Sequence, residues 1–160
     1  MTGRLTVEEV ARVIGRGGLA ASDPENTKYD PSIDPDGAER LAARLADEAR
    51  DLEPSAVVIW KEPEDILLAH LVALALDVHW IACSDEDGFV AVSGKIIPGG
   101  SVVFLTDAVR EGTPLIALRN AMALHGVALA GTCVLVGTEQ LDTADGVGRK
   151  ISLIDGRRPS

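Results

Sequence analysis

The chain has 160 residues and a formal net charge of −10, so it is long enough for one domain with a sizeable core and too acidic for general electrostatic attraction to nucleic acid. Apolar residues make up 46% and charged residues 25%, which is a globular composition and not a disordered one. Aromatics are only 3%, so the core has to be built from Ala, Val, Leu and Ile, as in buried parallel strands covered by Ala-rich helices.

Thr6-Val7-Glu8-Glu9 has the form of a capping box. Val10, Val13 and Ile14 follow at helical spacing before Gly15 and Gly17-Gly18 end the segment. Residues 19–33, with Pro24, Asn26 and Pro31, read as an irregular connection with room for one short strand near Lys28 and Tyr29. Asp34-Pro35 starts a helix with an N-cap acceptor followed by proline at the first helical position. Ala38, Leu41, Ala42, Leu45, Ala49 and Leu52 mark its apolar face, and Arg44 and Glu48 can pair on the outer one.

Residues 56–60 form a continuous run rich in β-branched side chains, as a buried parallel strand requires. A covering helix over 66–76, a second strand over 78–82 and a short third strand over 89–92 follow. Pro98-Gly99-Gly100 is a turn, residues 102–105 are the next buried strand, and a helix over 113–124 is closed by Gly126. A strand over 128–136, a polar loop over 137–148 and a last edge strand over 151–154 complete the chain. Strands alternating with helices predict an open parallel sheet with helices on both faces. There is no internal repeat, linker or low-complexity tract.

Cys83 and Cys133, far apart and flanked by apolar residues, read as buried thiols in a reducing compartment. The longest apolar run, over 66–76, contains His70 and is too short to span a bilayer. No charged-then-apolar signal region opens the chain. A cytoplasmic protein without membrane partners is the expectation.

In open α/β sheets, ligands collect beyond the carboxyl ends of the strands. Beyond the strand 102–105 stand Thr106 and Asp107, then Arg110, Glu111, Gly112, Thr113 and Pro114. Asp107 is placed to bind a ribose hydroxyl or a cation. Gly112 permits a tight turn, Thr113 is an N-cap candidate, and Pro114 suits the first helical position. Free N–H groups and the positive end of the helix dipole would face the enclosed space. Spacing alone fits two readings equally: a phosphate site, or a well-capped connection with no ligand.

Residues 102–114 resemble the motif with which type I phosphoribosyltransferases bind 5-phosphoribosyl-1-pyrophosphate (PRPP). That motif is a hydrophobic strand, two acidic positions, a short turn, and a Thr/Gly-rich loop opening a helix. The likeness runs from Val10 to about Val136, in an order and spacing similar to the orotate phosphoribosyltransferase branch. It implies an α/β fold, a phosphoribosyltransferase type I-like open parallel sheet flanked by helices. The implied domain is a single unit over 1–160, with an N-terminal helix and hood-like segment over 1–35 and a core over 36–155. The implied site is Thr106, Asp107, Arg110, Glu111, Gly112 and Thr113, with Asp107 as the catalytic position holding ribose hydroxyls and Lys61 meeting the pyrophosphate. A small-molecule phosphate or nucleotide ligand, Mg²⁺ arriving with PRPP, and a homodimer are implied in the same way.

Several positions depart from the family pattern. Thr106 replaces the first acid, Arg110 and Glu111 replace small hydroxyl residues, and Pro114 replaces the last hydroxyl. Trp60-Lys61-Glu62-Pro63-Glu64-Asp65 stands where a Gly-rich pyrophosphate turn is usual. The acidic stretch Cys83-Ser84-Asp85-Glu86-Asp87-Gly88 aligns with the Lys-rich mobile loop of the orotate enzymes, inverting its charge. Thr138 stands at the arginine that meets orotate's carboxylate, so orotate is not the expected substrate. Two functions follow. One is a divergent transferase moving phosphoribosyl from PRPP to a nitrogen base. The other is a catalytically inactive nucleotide-binding or regulatory/protein-interaction module on the same fold.

His70 reads as a partly buried helix histidine, His79 and His125 as structural. No His/Cys/Asp cluster has zinc spacing, and no nucleophile elbow or Walker loop is present. Arg149, Lys150, Arg157 and Arg158 make the C-terminus locally basic, read as a solvated tail.

Overall fold

The computed structural model describes residues 4–156. Arg157 and Arg158 of the basic tail lie outside them. Thr6 makes both reciprocal hydrogen bonds of the capping box at the start of α1 (Val7–Arg16). Asp34 caps α2 (Pro35–Ala49) by accepting from the Gly37 N–H. A single 3-10 turn, Arg50–Leu52, leads into β1 (Ala56–Trp60). Then come α3 (Pro63–Leu76), β2 (His79–Glu86), β3 (Phe89–Ser93) and β4 (Ser101–Thr106). α4 (Leu115–Leu124), β5 (Ala128–Gly137), α5 (Glu139–Thr143) and β6 (Arg149–Asp155) complete the order.

The strands form one six-stranded sheet in the order β3-β2-β1-β4-β5-β6. All neighbours are parallel except the antiparallel pair β2–β3. After β1 the chain moves to one side of it through β2 and β3, then returns to the other side as β4. The gap between the carboxyl ends of β1 and β4 is therefore the switch point at which open sheets collect ligands.

Strand alternation divides the core into two layers. Val57, Ile59, Val103 and Leu105 pack with α1, α2 and α3, while Ala56, Val58, Val102 and Phe104 pack with α4. The N-terminal segment belongs to the first layer, because Val10, Ile14, Leu19 and Tyr29 are buried in it with Leu41 and Leu45 of α2. Gly17 packs against the Tyr29 ring, where an added Cβ would lie 2.3 Å from Cε1. Gly17→Ala should therefore destabilise the chain by about 1–3 kcal/mol, read by urea unfolding.

Four expectations change. α3 begins at Pro63 rather than at residue 66, since proline suits the first helical position and Glu64 and Asp65 suit the dipole's positive end. The connection after β1 is thus only Lys61–Glu62. The acidic stretch 83–88 is not a loop. Its first four residues extend β2, and Asp87 (φ 52°) and Gly88 (φ 84°) form the two-residue turn into β3, with both residues in the left-handed region as a type I′ hairpin demands. The polar stretch 137–148 contains α5, capped by the Thr138 hydroxyl. Near Lys28 and Tyr29 there is no strand, because the Tyr29 N–H bonds a side chain, described next.

Candidate functional site

A cavity of about 280 Å³ opens at the switch point. Its walls come from the end of β1 (Trp60), the first turn of α3 with its cap (Glu62, Glu64, Asp65), the end of β4 (Thr106), and the loop 107–114. Thr106, Asp107, Arg110, Glu111, Gly112 and Thr113 all line it. Lys61 is exposed and does not line it; the lysine that does is Lys28, from the N-terminal segment.

Asp107 is buried, and its carboxylate is filled. Oδ1 accepts from the Ala108 N–H (2.8 Å) and Arg110 Nη1 (2.8 Å), and Oδ2 from the Tyr29 N–H (2.9 Å) and Arg110 Nη2 (3.0 Å). Four N–H donors meet the roughly four lone-pair directions of a carboxylate. Burial alone would push the Asp107 carboxyl up, but the Arg110 and Tyr29 hydrogen bonds outweigh it and hold it below its ordinary value.

Arg110 is equally committed. Besides its two bonds to Asp107, it donates from Nε to Pro24 O (2.8 Å), from Nη2 to Thr27 O (2.6 Å) and from Nη1 to Ala108 O (3.2 Å). All five donors of the guanidinium are used. The side chain is therefore a brace between the N-terminal segment and the loop, and it keeps no donor for a phosphate. Glu111 is exposed, and its backbone N–H donates to Glu25 Oε2 at 3.4 Å.

The loop ends differently from expectation. α4 starts at Leu115, with Pro114 at the N-cap position and no side-chain cap. The Thr113 hydroxyl instead accepts from the Arg110 N–H (2.9 Å), closing the turn inside the loop. A helix over 113–124 is thus two residues shorter, because proline cannot donate and Thr113 is used locally. Gly112 has φ +87°, which a side chain would strain although nothing crowds it. No acid stands in the first turn of α4 to occupy the positive dipole end.

Sequence reasoning did not single out Asp65. It is 8% exposed, and its Oδ2 accepts from the Thr106 hydroxyl at 3.3 Å. Burial, reinforced by the Asp107 charge, pushes its carboxyl up to about 7. The signal that could have found it was Pro63, which starts the helix early and turns residue 65 toward β4. Lys28 had no local signal.

Five carboxylates (Glu62, Glu64, Asp65, Asp107, Glu111) face two cations (Lys28, Arg110) around the cavity. With Arg110 committed to Asp107, the surface opposes a polyanion. Like charges about 4 Å apart cost about 1 kcal/mol in water and about 4 at an intermediate dielectric. For the Mg²⁺ that PRPP would bring, the donor set does not fit. Mg²⁺ carried by a phosphorylated substrate takes one or two protein carboxylates beside phosphate and water, and the motif carboxylate, Asp107, has its lone pairs spent. Thr138, at the orotate-arginine position, is buried, donates to Val109 O and caps α5. His70 is exposed rather than partly buried, and both cysteines are buried and free. Among the described residues no helix is long and apolar enough to cross a membrane.

No protein-family model and no curated protein matches the sequence. Solved structures do match in shape. An adenine phosphoribosyltransferase from Thermoanaerobacter pseudethanolicus superposes with a TM-score of 0.72 at 16% identity, over 94% of this chain and 99% of that one. A phosphoribosyltransferase from Corynebacterium diphtheriae gives 0.71 at 18%, over 93% and 95%. An adenine phosphoribosyltransferase from Trypanosoma brucei, solved with AMP, pyrophosphate and ribose-5-phosphate, gives 0.68 at 13%, over 91% and 79%. The fold is that of the type I phosphoribosyltransferases.

Proposed function

We propose that the chain is a nucleotide-binding module on the phosphoribosyltransferase fold, holding a ribonucleoside monophosphate at the switch point without transferring phosphoribosyl. The observation that carries this is the filled Asp107 carboxylate. The residue the motif reserves for ribose hydroxyls already holds four N–H donors, two of them from Arg110. The start of α4 adjoins the cavity wall at Thr113 and Pro114 and has no side-chain cap, so the positive end of its dipole favours a monophosphate nearby. A pyrophosphate arm at the β1–α3 connection would meet Glu62 and Glu64, which line that wall. Orotate is excluded on this reading, because Thr138 is a cap and offers no cation.

The second reading is a divergent transferase using Mg²⁺-PRPP, with Asp107 in its catalytic position. It is favoured by the six motif residues that line one cavity at the switch point. It requires Arg110 to release Asp107 before a ribose can be held.

Thermal denaturation separates the two. At a hundred times its dissociation constant, a nucleoside monophosphate should stabilise the chain by about 2.7 kcal/mol. For this length that is a rise in Tm of about 5–10 °C. AMP, GMP, CMP and UMP are tested beside PRPP with Mg²⁺. A monophosphate shift with none from millimolar PRPP supports the module. A PRPP shift lost in Asp107→Ala supports the transferase. No shift from any of them defeats both.

A further inference from the structure

We infer that Asp65 and Thr106 together form the subsite that receives the sugar's vicinal hydroxyls. This inference rests on the nucleotide-binding reading.

Four observations converge on the pair. Asp107, the neighbouring buried acid, has no acceptor capacity left. Asp65 is buried to a similar degree and lines the same cavity. Among the described residues one hydrogen bond reaches its carboxyl group, from the Thr106 hydroxyl to Oδ2, and none reaches Oδ1. The other carboxylates of the cavity, Glu62, Glu64 and Glu111, sit at its half-exposed or exposed rim.

Thr106 decides the chemistry. Its oxygen lies 3.3 Å from Asp65 Oδ2 and 3.4 Å from Asp107 Oδ1, and it has a single proton to give. Because Asp107 is saturated by N–H donors, that proton goes to Asp65. With Asp65 ionised, above about pH 7, the lone pairs of Thr106 Oγ1 and the free Oδ1 of Asp65 are two adjacent acceptors. A vicinal diol can fill both at once, one hydroxyl to each; a deoxygenated sugar leaves them bare. The acidic residue missing from the β4 motif is thus supplied across the cavity, from the first turn of α3.

A purely structural role does not account for Asp65. The dipole of α3 is already met by Glu64 from a less buried position in the same turn. Burying Asp65 beside Asp107 raises its carboxyl to about 7, a cost the fold does not need. Buried acids beside a second charge in a cavity are the environment from which binding groups are drawn.

The test is titration calorimetry at pH 8.5, where Asp65 is ionised, with AMP, GMP, CMP and UMP against their 2′,3′-dideoxy counterparts, on the wild type, Asp65→Asn and Thr106→Val. Circular dichroism checks that each variant is folded. The wild type should prefer at least one ribonucleotide to its dideoxy form by tenfold or more. Each substitution should bring that ratio below threefold while the dideoxy affinity stays unchanged. A folded Asp65→Asn protein that keeps the tenfold preference overturns the subsite and leaves the nucleotide-binding reading standing. If no monophosphate binds the wild type, that reading falls and the subsite with it.

Discussion

Replacing Arg110 by methionine should lower the unfolding free energy by about 3–5 kcal/mol, the usual result of removing one partner from a buried ion pair. The Arg110 side chain is 16% exposed and that of Asp107 is 8%, so water replaces little of what is lost. Pro24 O and Thr27 O lose their donors as well, which frees the N-terminal segment from the loop. Arg110→Lys should recover less than half, because an ammonium cannot span five acceptors in a planar fork. The pH dependence has a definite sign. Asp107's folded-state value lies below its unfolded one, so its contribution is present above the unfolded value of 3.8 and is lost as pH falls through the folded value. In the variant the carboxylate is buried without its cation, and protonation relieves it, so the deficit should shrink toward pH 4. Urea unfolding followed by tryptophan fluorescence measures this, and the cycle with Asp107→Asn should give a coupling of 1 kcal/mol or more, roughly. A deficit below about 1 kcal/mol would place the pair among exposed ones and remove the brace.

The same brace shows where local sequence stops being informative. The strands at 56–60 and 102–105 were legible because β-branched and apolar runs suit a pleated, doubly covered position. The starts of α1 and α2 were legible because Thr6–Glu9 and Asp34-Pro35 carry their capping chemistry within four residues. The Asp87-Gly88 turn was equally local, and aligning 83–88 with a family loop obscured a strong short hairpin signal. Arg110 differs. It stands where the motif has a small hydroxyl residue, yet its partners Pro24 and Thr27 lie 86 and 83 residues away. Nothing near residue 110 tells whether the guanidinium faces a phosphate or the protein's own carbonyls. That is decided by the N-terminal segment crossing the carboxyl end of the sheet. Lys28 enters the cavity by the same crossing, while Lys61, next to the motif-like turn, stays outside. The fold was thus written in short-range patterns. The site depends on two chain segments that meet only after the sheet has formed.

Asp65→Asn should make the protein more stable in mild alkali, by about 2–4 kcal/mol at pH 8.5. The Asp65 carboxyl is pushed from 3.8 to about 7 by burial first and by the Asp107 charge second. The Thr106 hydrogen bond and the Lys28 charge oppose this, and Glu62 adds to it. Below pH 3.8 both folded and unfolded chains carry the proton, and the group is neutral to stability. Between 3.8 and about 7 the unfolded chain ionises while the folded one holds its proton, so stability falls as pH rises. Above about 7 the full penalty is present, at about 1.4 kcal/mol per unit of displacement. Asparagine has no such titration and can still accept from Thr106. The gap between variant and wild type should therefore open between pH 4 and 8 and stay level beyond. Urea midpoints at pH 4.5, 6.5 and 8.5 read it directly. A gap independent of pH would mean that Asp65 is ionised in the folded state throughout, and that its burial carries no penalty. A gap that opens as described, together with loss of ribose discrimination in the same variant, would make Asp65 a residue that weakens the fold at neutral pH and serves the ligand. Such a trade is expected of a binding group held in a low-dielectric cavity, and not of a core residue.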